Sequence, residues 1–205
     1  MLLYNLKSKG NKVVNMENER ALLKELSFNV NLVLDEKSLK KVKKFNQKLC
    51  EKIDSEIDFE EGCVPHITIL IFKVKAEDAE KVCGIVWDFT SKINFENLKL
   101  KLKKIRVQNN YIMLDVENCG ELIKISAALE NLISPYIIRF SHWPIRKDNR
   151  PHITLGYCRD VENATKLFHG KRLSLVVKPI ALRLSDKYVH GTVHGGFRIK
   201  LFKKK

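Results

Sequence analysis

The chain has 205 residues, a formal net charge of +14 at pH 7, and a composition that is 44% hydrophobic and 30% charged. This profile is typical of a globular protein of one domain or two small lobes. No apolar run approaches the roughly 18 residues of a membrane-spanning helix, so we expect no membrane span. The charge favours polyanions such as RNA, although a lysine-rich solvated surface has the same composition.

Residues 1–20 are polar and aperiodic and lack the apolar core of a signal peptide, which predicts a flexible N-terminal extension. We expect residues 21–205 to form a single bilobal domain and the protein to be a monomer. The five cysteines form no C-x-x-C pair, which favours free thiols in a reducing compartment, cytoplasmic or nuclear. No cysteine and histidine cluster has zinc-ligand spacing, so we expect neither a metal nor another cofactor.

Hydrophobic periodicity predicts alternating strands and helices. In chain order, the predicted elements are a strand at 28–34, a helix at 36–54, a strand ending at 74, a helix at 76–92, strands at 98–107 and 111–117, a helix at 120–134, a strand at 137–143, a strand from 151, a helix at 161–170, and strands within 172–186 and 195–202. Residues 108–110 suit a tight hairpin. The pattern predicts an α+β fold.

The tetrapeptide Pro-His-Ile-Thr occurs twice, at 65–68 and at 151–154. Each copy begins a predicted strand that lies between two predicted helices, which indicates an internal duplication into two lobes. A third His-x-Thr, at 190–192, lies among glycines and is interpreted as a turn. One such motif would favour a structural histidine, whereas two near-identical copies on similar elements favour a shared function.

Alternate side chains of a strand share a face, so each motif histidine is expected beside its own threonine. The opposite, core-facing sides are predicted to hold Ile67, Ile69 and Ile71 on the first strand and Ile153, Leu155 and Tyr157 on the second. Buried unpaired imidazoles and hydroxyls are costly. We therefore expect the two polar faces to border a water-filled cleft between the lobes.

Two histidines and two hydroxyls across a cleft suit acid–base chemistry on a phosphodiester. One imidazole can take a proton from the attacking oxygen while the other gives one to the leaving oxygen, because histidine titrates near neutrality. Threonine hydroxyls can donate to non-bridging phosphate oxygens as negative charge grows there. This chemistry requires no metal.

The paired motifs resemble those of the 2H phosphoesterase superfamily, over about residues 27–202. The second motif and the ending IALRLSDKYVHGTVHGGFRIKLF are most similar to the RNA 2′,3′-cyclic phosphodiesterase (2′,5′-RNA ligase-like) branch. The resemblance implies a bilobal fold with duplicated sheets and a central cleft. It also implies that His66 and His152 are the general acid and base and that Thr68 and Thr154 bind the phosphate.

The first motif continues as LIFKVK and lacks the Phe-Leu-Gly run of that branch. Enzymes of the superfamily that cleave 2′,5′-oligoadenylates therefore stay open, as do an RNA-binding module without turnover and a scaffold domain. Two intact histidines favour an enzyme acting on RNA, an oligonucleotide or a nucleotide.

Further substrate contacts are predicted around the motifs. By alternation Phe72 shares the His66 face and either stacks on a base or packs in the core. Arg146, Lys147 and Arg150 precede the second motif and either hold RNA phosphates or form a solvated loop. The remaining histidines, at 142, 169, 190 and 194, have no clear partner and receive no role.

Overall fold

The structure is a computed structural model, and it describes residues 25–55, 57, 59, 64–142, 145 and 150–186. The expected N-terminal extension, the third His-x-Thr and the predicted strand at 195–202 lie outside the described residues. The elements are β1 (Glu25–Leu34), α1 (Glu36–Cys50), β2 (His66–Lys75), α2 (Ala79–Ser91), β3 (Leu100–Gln108), β4 (Tyr111–Val116), α3 (Gly120–Ile133), β5 (Ile137–His142), β6 (His152–Tyr157), α4 (Val161–Phe168), β7 (Arg172–Val177) and β8 (Pro179–Asp186).

The strands form two four-stranded antiparallel sheets, with orders β5-β2-β1-β8 and β6-β4-β3-β7. We call them the first and the second sheet. The predicted α+β fold is confirmed, and each sheet contains one His-x-Thr strand, β2 or β6. These two strands contact each other where the sheets meet, so the fold brings the two motifs to a common region.

Local signals explain where several elements begin and end. Asp35 caps α1 by accepting a hydrogen bond of 2.7 Å from the backbone N–H of Ser38. The β3–β4 hairpin is confirmed: Asn109 and Asn110 adopt φ angles of 49° and 68°, the left-handed conformation that a two-residue turn of this kind requires. Helix α1 ends at Cys50, four residues before the predicted end, because the chain then forms a turn.

The helices are exchanged between the sheets. Helix α1 follows β1 of the first sheet but packs on β6 of the second, and α3 follows β4 of the second sheet but packs on β2 of the first. Helix α2 completes the cover of the first sheet, and α4 that of the second. One continuous apolar core results. None of the helices in the described part of the chain is both long and apolar enough to cross a bilayer.

Candidate active site

The first His-x-Thr strand contains a β-bulge. Thr68 lies opposite Asn31 on β1, but the next residue of β1, Val30, lies opposite Leu70. Ile69 is therefore the extra residue, three positions after the motif histidine. A bulge of this kind adds one residue to one strand and reverses the alternation of faces beyond it.

This bulge corrects the strand face predicted for Phe72. Directly opposed residues of an antiparallel pair share a face, and Phe72 lies opposite the buried Phe28, with ring centroids 5.9 Å apart. The Phe72 side chain is 0% exposed, so it packs in the core and does not stack on a base. Ile71, which lies opposite Asn29, is on the face of His66 instead. Regular alternation would have placed Leu70 and Phe72 on that face.

The second His-x-Thr strand has the same irregularity at the same position. Met113 on β4 lies opposite Thr154, whereas its neighbour Ile112 lies opposite Gly156. Leu155 is therefore the extra residue, again three positions after the motif histidine. The internal duplication therefore includes both the tetrapeptide and the β-bulge that follows it.

The second bulge places Tyr157 on the side of His152, where alternation had excluded it. Tyr157 lies opposite Tyr111, and His152 lies opposite Asp115; positions 111 and 115 share a face of β4. The two tyrosine rings meet edge to face, with centroids 5.0 Å apart. A Cβ on Gly156 would lie 3.1 Å from Leu49 Cδ2, so this glycine faces the core.

Both motif histidines make the same hydrogen bond to the backbone. The Nδ1 atom of His66 lies 2.9 Å from the carbonyl oxygen of Val64, and that of His152 lies 3.1 Å from the carbonyl oxygen of Arg150. A carbonyl oxygen can only accept, so each Nδ1 carries a proton. In the neutral ring Nε2 then holds the lone pair, and it is the atom able to take a proton from an attacking oxygen.

Two buried polar residues hold the bulges. The Nδ2 atom of Asn46, on α1, donates to the carbonyl oxygens of Leu155 at 2.7 Å and of Ile57 at 3.0 Å. Its Oδ1 accepts a bond of 3.1 Å from the backbone N–H of Phe59. Asn46 is 1% exposed, so the amide satisfies three buried backbone groups in one place.

Ser126, on α3, has the corresponding place at the first motif. Its hydroxyl donates to the carbonyl oxygen of Ile69 at 3.4 Å and accepts a bond of 3.1 Å from the backbone N–H of Ile145. The exchanged helices thus bind the bulge residue of each motif strand, and they fix where the histidine and threonine of that strand lie.

An ion pair lies beside His152 on the second sheet. Asp115, directly opposite His152, is 5% exposed. The Nε atom of Arg106 lies 3.2 Å from both carboxylate oxygens of Asp115, and its Nη2 lies 3.0 Å from Oδ1. The guanidinium therefore fixes the carboxylate and offsets its charge.

A polar row crosses the first sheet beside Thr68. Asn31 lies opposite Thr68 on one side and Arg183 on the other. The Nε atom of Arg183 donates to Asn31 Oδ1 at 3.1 Å, and Asn31 Nδ2 donates to the hydroxyl of Ser185 at 3.2 Å. Arg183 Nη2 is buried without a hydrogen-bond partner among the described residues. Burial lowers the pKa of this guanidinium, which still stays charged at neutral pH.

The three basic residues that precede the second motif were predicted to contact substrate phosphates. Arg150 is exposed at the start of the second motif, and its role in holding RNA phosphates stays a prediction. Arg146 and Lys147 lie outside the described residues. In the described part of the chain, no three or more His, Cys, Asp or Glu side chains form a group that could hold a metal ion.

Comparison with known proteins identifies the family. Residues 61–186, more than half of the chain, match the sequence profile of the 2′-5′ RNA ligase superfamily. The chain belongs to the 2′-5′ RNA ligase superfamily. This membership confirms the resemblance to 2H phosphoesterases. No curated protein sequence matches the chain.

Solved structures share the fold of this superfamily member. Escherichia coli LigT complexed with 3′-AMP has a TM-score of 0.59 and 14% identity, over 87% of this chain and 97% of that chain. LigT complexed with NADP+ gives 0.56 and 16%, over the same shares. The MHV ns2 PDE domain gives 0.52 and 15%, over 78% of this chain and 97% of that chain. Identities this low show the fold alone.

Several residues of this superfamily member's candidate site were missed by sequence reasoning. Tyr157 was excluded because neither bulge was foreseen. Asp115 is the charged residue of the otherwise uncharged strand YIMLDV, and Arg183 interrupts the apolar run IALRL. Arg106 gives no such signal, because it alternates with apolar residues in a strand that already holds three lysines. A charged side chain in a buried strand is a usable signal, since it requires a partner. The partners themselves depend on sheet register.

Proposed function

We propose that the protein is a metal-independent phosphodiesterase that acts on RNA 2′,3′-cyclic phosphate ends or on 2′-linked nucleotides. The observation that carries the proposal is the matched geometry of two contacting strands. Each has a histidine with the same Nδ1 hydrogen bond, a threonine two residues later, and a bulge one residue after that. A structural role would require neither the matched tautomers nor the matched hydroxyls.

The proposed reaction uses His66 and His152 as general acid and base. One neutral imidazole takes a proton from water through Nε2 as the water oxygen forms a bond to phosphorus. The other, protonated, gives a proton to the ribose oxygen as its bond to phosphorus breaks. The two rings end with exchanged protonation states, which proton exchange with solvent restores.

Thr68 and Thr154 bind the phosphate in this proposal. Both side chains are half-buried beside their histidines. A hydroxyl can donate to a non-bridging oxygen, where negative charge increases in the transition state. Two donors from two strands would orient the phosphate between the imidazoles.

The structural relatives support a nucleotide substrate. LigT has been solved with NADP+, with 3′-AMP and with ATP. A fold that accepts these ligands suits a ribose phosphate in the same region. Because the first motif continues as LIFKVK, 2′,5′-oligoadenylates belong among the substrates to be tested.

A substrate panel in EDTA tests the proposal. The panel comprises 2′,3′-cyclic nucleotides, RNA with cyclic-phosphate ends, and 2′,5′- and 3′,5′-oligoadenylates, with the His66→Ala/His152→Ala double variant as the control. Hydrolysis of a cyclic or 2′-linked phosphate, lost in the control, is the expected result. RNA binding with no hydrolysis of any substrate would instead identify a binding module.

A further inference from the structure

The second sheet has one covered face and one open face. Its apolar side, with residues such as Leu102, Ile105 and Leu114, is buried under α1 and α4. The opposite side contains the His152 motif. It also contains five cations, which we call the basic face: Lys101, Lys103, Lys104, Arg106 and Arg172.

A row of directly opposed residues joins His152 to the basic face. His152 lies opposite Asp115, Asp115 opposite Lys104, and Lys104 opposite Arg172. Neighbouring strands lie about 4.8 Å apart, so the row extends about 14 Å from the motif across the sheet. The cations therefore begin at the candidate site and continue away from it.

A bulge in β3 increases the density of positive charge. The register of β3 with β4 and with β7 shifts between Leu102 and Lys104. Relative to β4, Lys103 is the extra residue, and both lysines are exposed while Leu102 and Ile105 on either side are buried. Two consecutive lysines thus face solvent where regular alternation would bury one of them.

The cations of the basic face outnumber their acidic neighbours. Arg106 binds Asp115, and Lys103 forms an ion pair with Glu117. The hydrogen bond from Lys103, followed by the charges of Lys103, Lys101 and Arg172, lowers the pKa of Glu117. Glu117 therefore interacts with three cations of the basic face at once.

Lys104 and Arg172 are the two cations of the row, and the charge of Glu117 attracts Arg172 without forming an ion pair. Within the described residues no ion pair joins either to a carboxylate. Like charges directly opposed on two strands destabilise a sheet. The repulsion between Lys104 and Arg172 is a cost that a bound polyanion would remove.

On the basis of the proposed phosphodiesterase function, we propose that the basic face binds the backbone phosphates of single-stranded RNA whose reacting phosphate lies at His152. The preferred substrate is then an oligonucleotide end rather than a free mononucleotide. Lysine and arginine contacts to phosphates position a strand without reading its bases, so binding is independent of sequence.

A charge-matched pair of variants tests this proposal. Lys104→Gln/Arg172→Gln removes two cations of the basic face, and Lys41→Gln/Lys44→Gln removes two exposed lysines of α1, which packs on the covered side of the second sheet. Both pairs remove two charges from the net +14. Binding of a labelled single-stranded oligoribonucleotide is measured by anisotropy over a salt series, and turnover of a 2′,3′-cyclic mononucleotide is measured in parallel.

The expected result is a loss of oligonucleotide affinity in the basic-face variant alone. Each lost phosphate contact lowers the slope of log K against log salt by about 0.7 for single strands, so the slope should fall by about 1.4. Cyclic mononucleotide turnover should stay unchanged, and the melting temperature should be equal or higher. The proposal is overturned if the α1 variant loses as much affinity, or if mononucleotide turnover falls as far as binding.

The outcome for the basic face is separate from the outcome for catalysis. If the parent protein hydrolyses no substrate but the basic-face variant alone loses affinity, the proposed activity fails and the binding surface stands. If the parent hydrolyses cyclic mononucleotides but both variants bind RNA equally, the activity stands and the surface fails.

Discussion

Asn46 donates a hydrogen bond of 2.7 Å to the carbonyl oxygen of Leu155, a residue 109 positions away in the sequence. The bond joins the helix after the first strand to the bulge of the second motif. Ser126 makes the corresponding bond to Ile69. Each motif strand is therefore held by a helix that follows a strand of the other sheet. The two halves of the site thus depend on each other.

Asn46→Ala should lower the free energy of unfolding by about 3 kcal/mol. Removing the amide leaves three buried backbone groups without their partner, at about 1–3 kcal/mol for an unsatisfied group. Urea denaturation measures the loss. Gln47→Ala, an exposed change on the same helix, is the control and should stay within about 0.5 kcal/mol of the parent. Equal stability of the two variants would show that the amide does not hold the bulge.

Phe72→Leu should reduce stability by about 1–2 kcal/mol and leave the KM for nucleotides unchanged. The ring is fully buried against Phe28, so the change removes packing rather than a substrate contact. Phe28→Leu should behave in the same way. A raised KM for Phe72→Leu alone, with unaltered stability, would restore the stacking role.

Tyr157→Ala should lower kcat/KM for a nucleotide substrate by about tenfold. Tyr157 lies on the side of His152 only because of the bulge at Leu155, and loss of one aromatic contact to a base costs about 1–3 kcal/mol. Tyr136→Ala, on the turn after α3, is the control and should leave kcat/KM unchanged. Unchanged kinetics in Tyr157→Ala would show that Tyr157 does not contact the substrate.

Thr68→Ala and Thr154→Ala should each reduce kcat by less than either histidine substitution. Each removes one of two hydroxyl donors to the phosphate, whereas a histidine substitution removes an entire proton-transfer step. The double threonine variant should be slower than both single variants. Single variants with parental kcat and kcat/KM would remove the threonines from the site.

The sequence predicted the helices and most strands, because periodicity is a local signal, and the repeated tetrapeptide located the two motif strands. It did not predict the faces beyond the motifs. Strand alternation was applied through Ile69 and Leu155, and each of these residues adds one position to its strand. A one-residue shift reverses every side chain beyond it, which explains why Phe72 was placed on the His66 face and Tyr157 was excluded from the His152 face.

Local sequence signals also did not predict the exchange of helices between the two sheets. The sequence carries no sign that helix α1 packs away from its neighbouring strand β1, yet Asn46 and Leu49 lie against β6 of the other sheet. The periodicity of an amphipathic helix predicts its apolar face, but it does not predict which sheet that face covers. The choice of sheet depends on how the chain connects the two lobes. The pairing of Arg106 with Asp115 required the β3–β4 register in the same way.

In the proposed mechanism His66 and His152 act together as acid and base on a phosphate without a metal. The most direct measurement is the rate of 2′,3′-cyclic nucleotide hydrolysis from about pH 5 to pH 9 in EDTA, for the parent, His66→Ala and His152→Ala. One ring must be neutral and the other protonated in the same complex, so the parent rate should be bell-shaped, with limbs that belong to the coupled pair. Each variant should be slower by at least about 10²-fold at the optimum. Full activity in either variant, or complete loss of parental activity on adding EDTA, would contradict this mechanism.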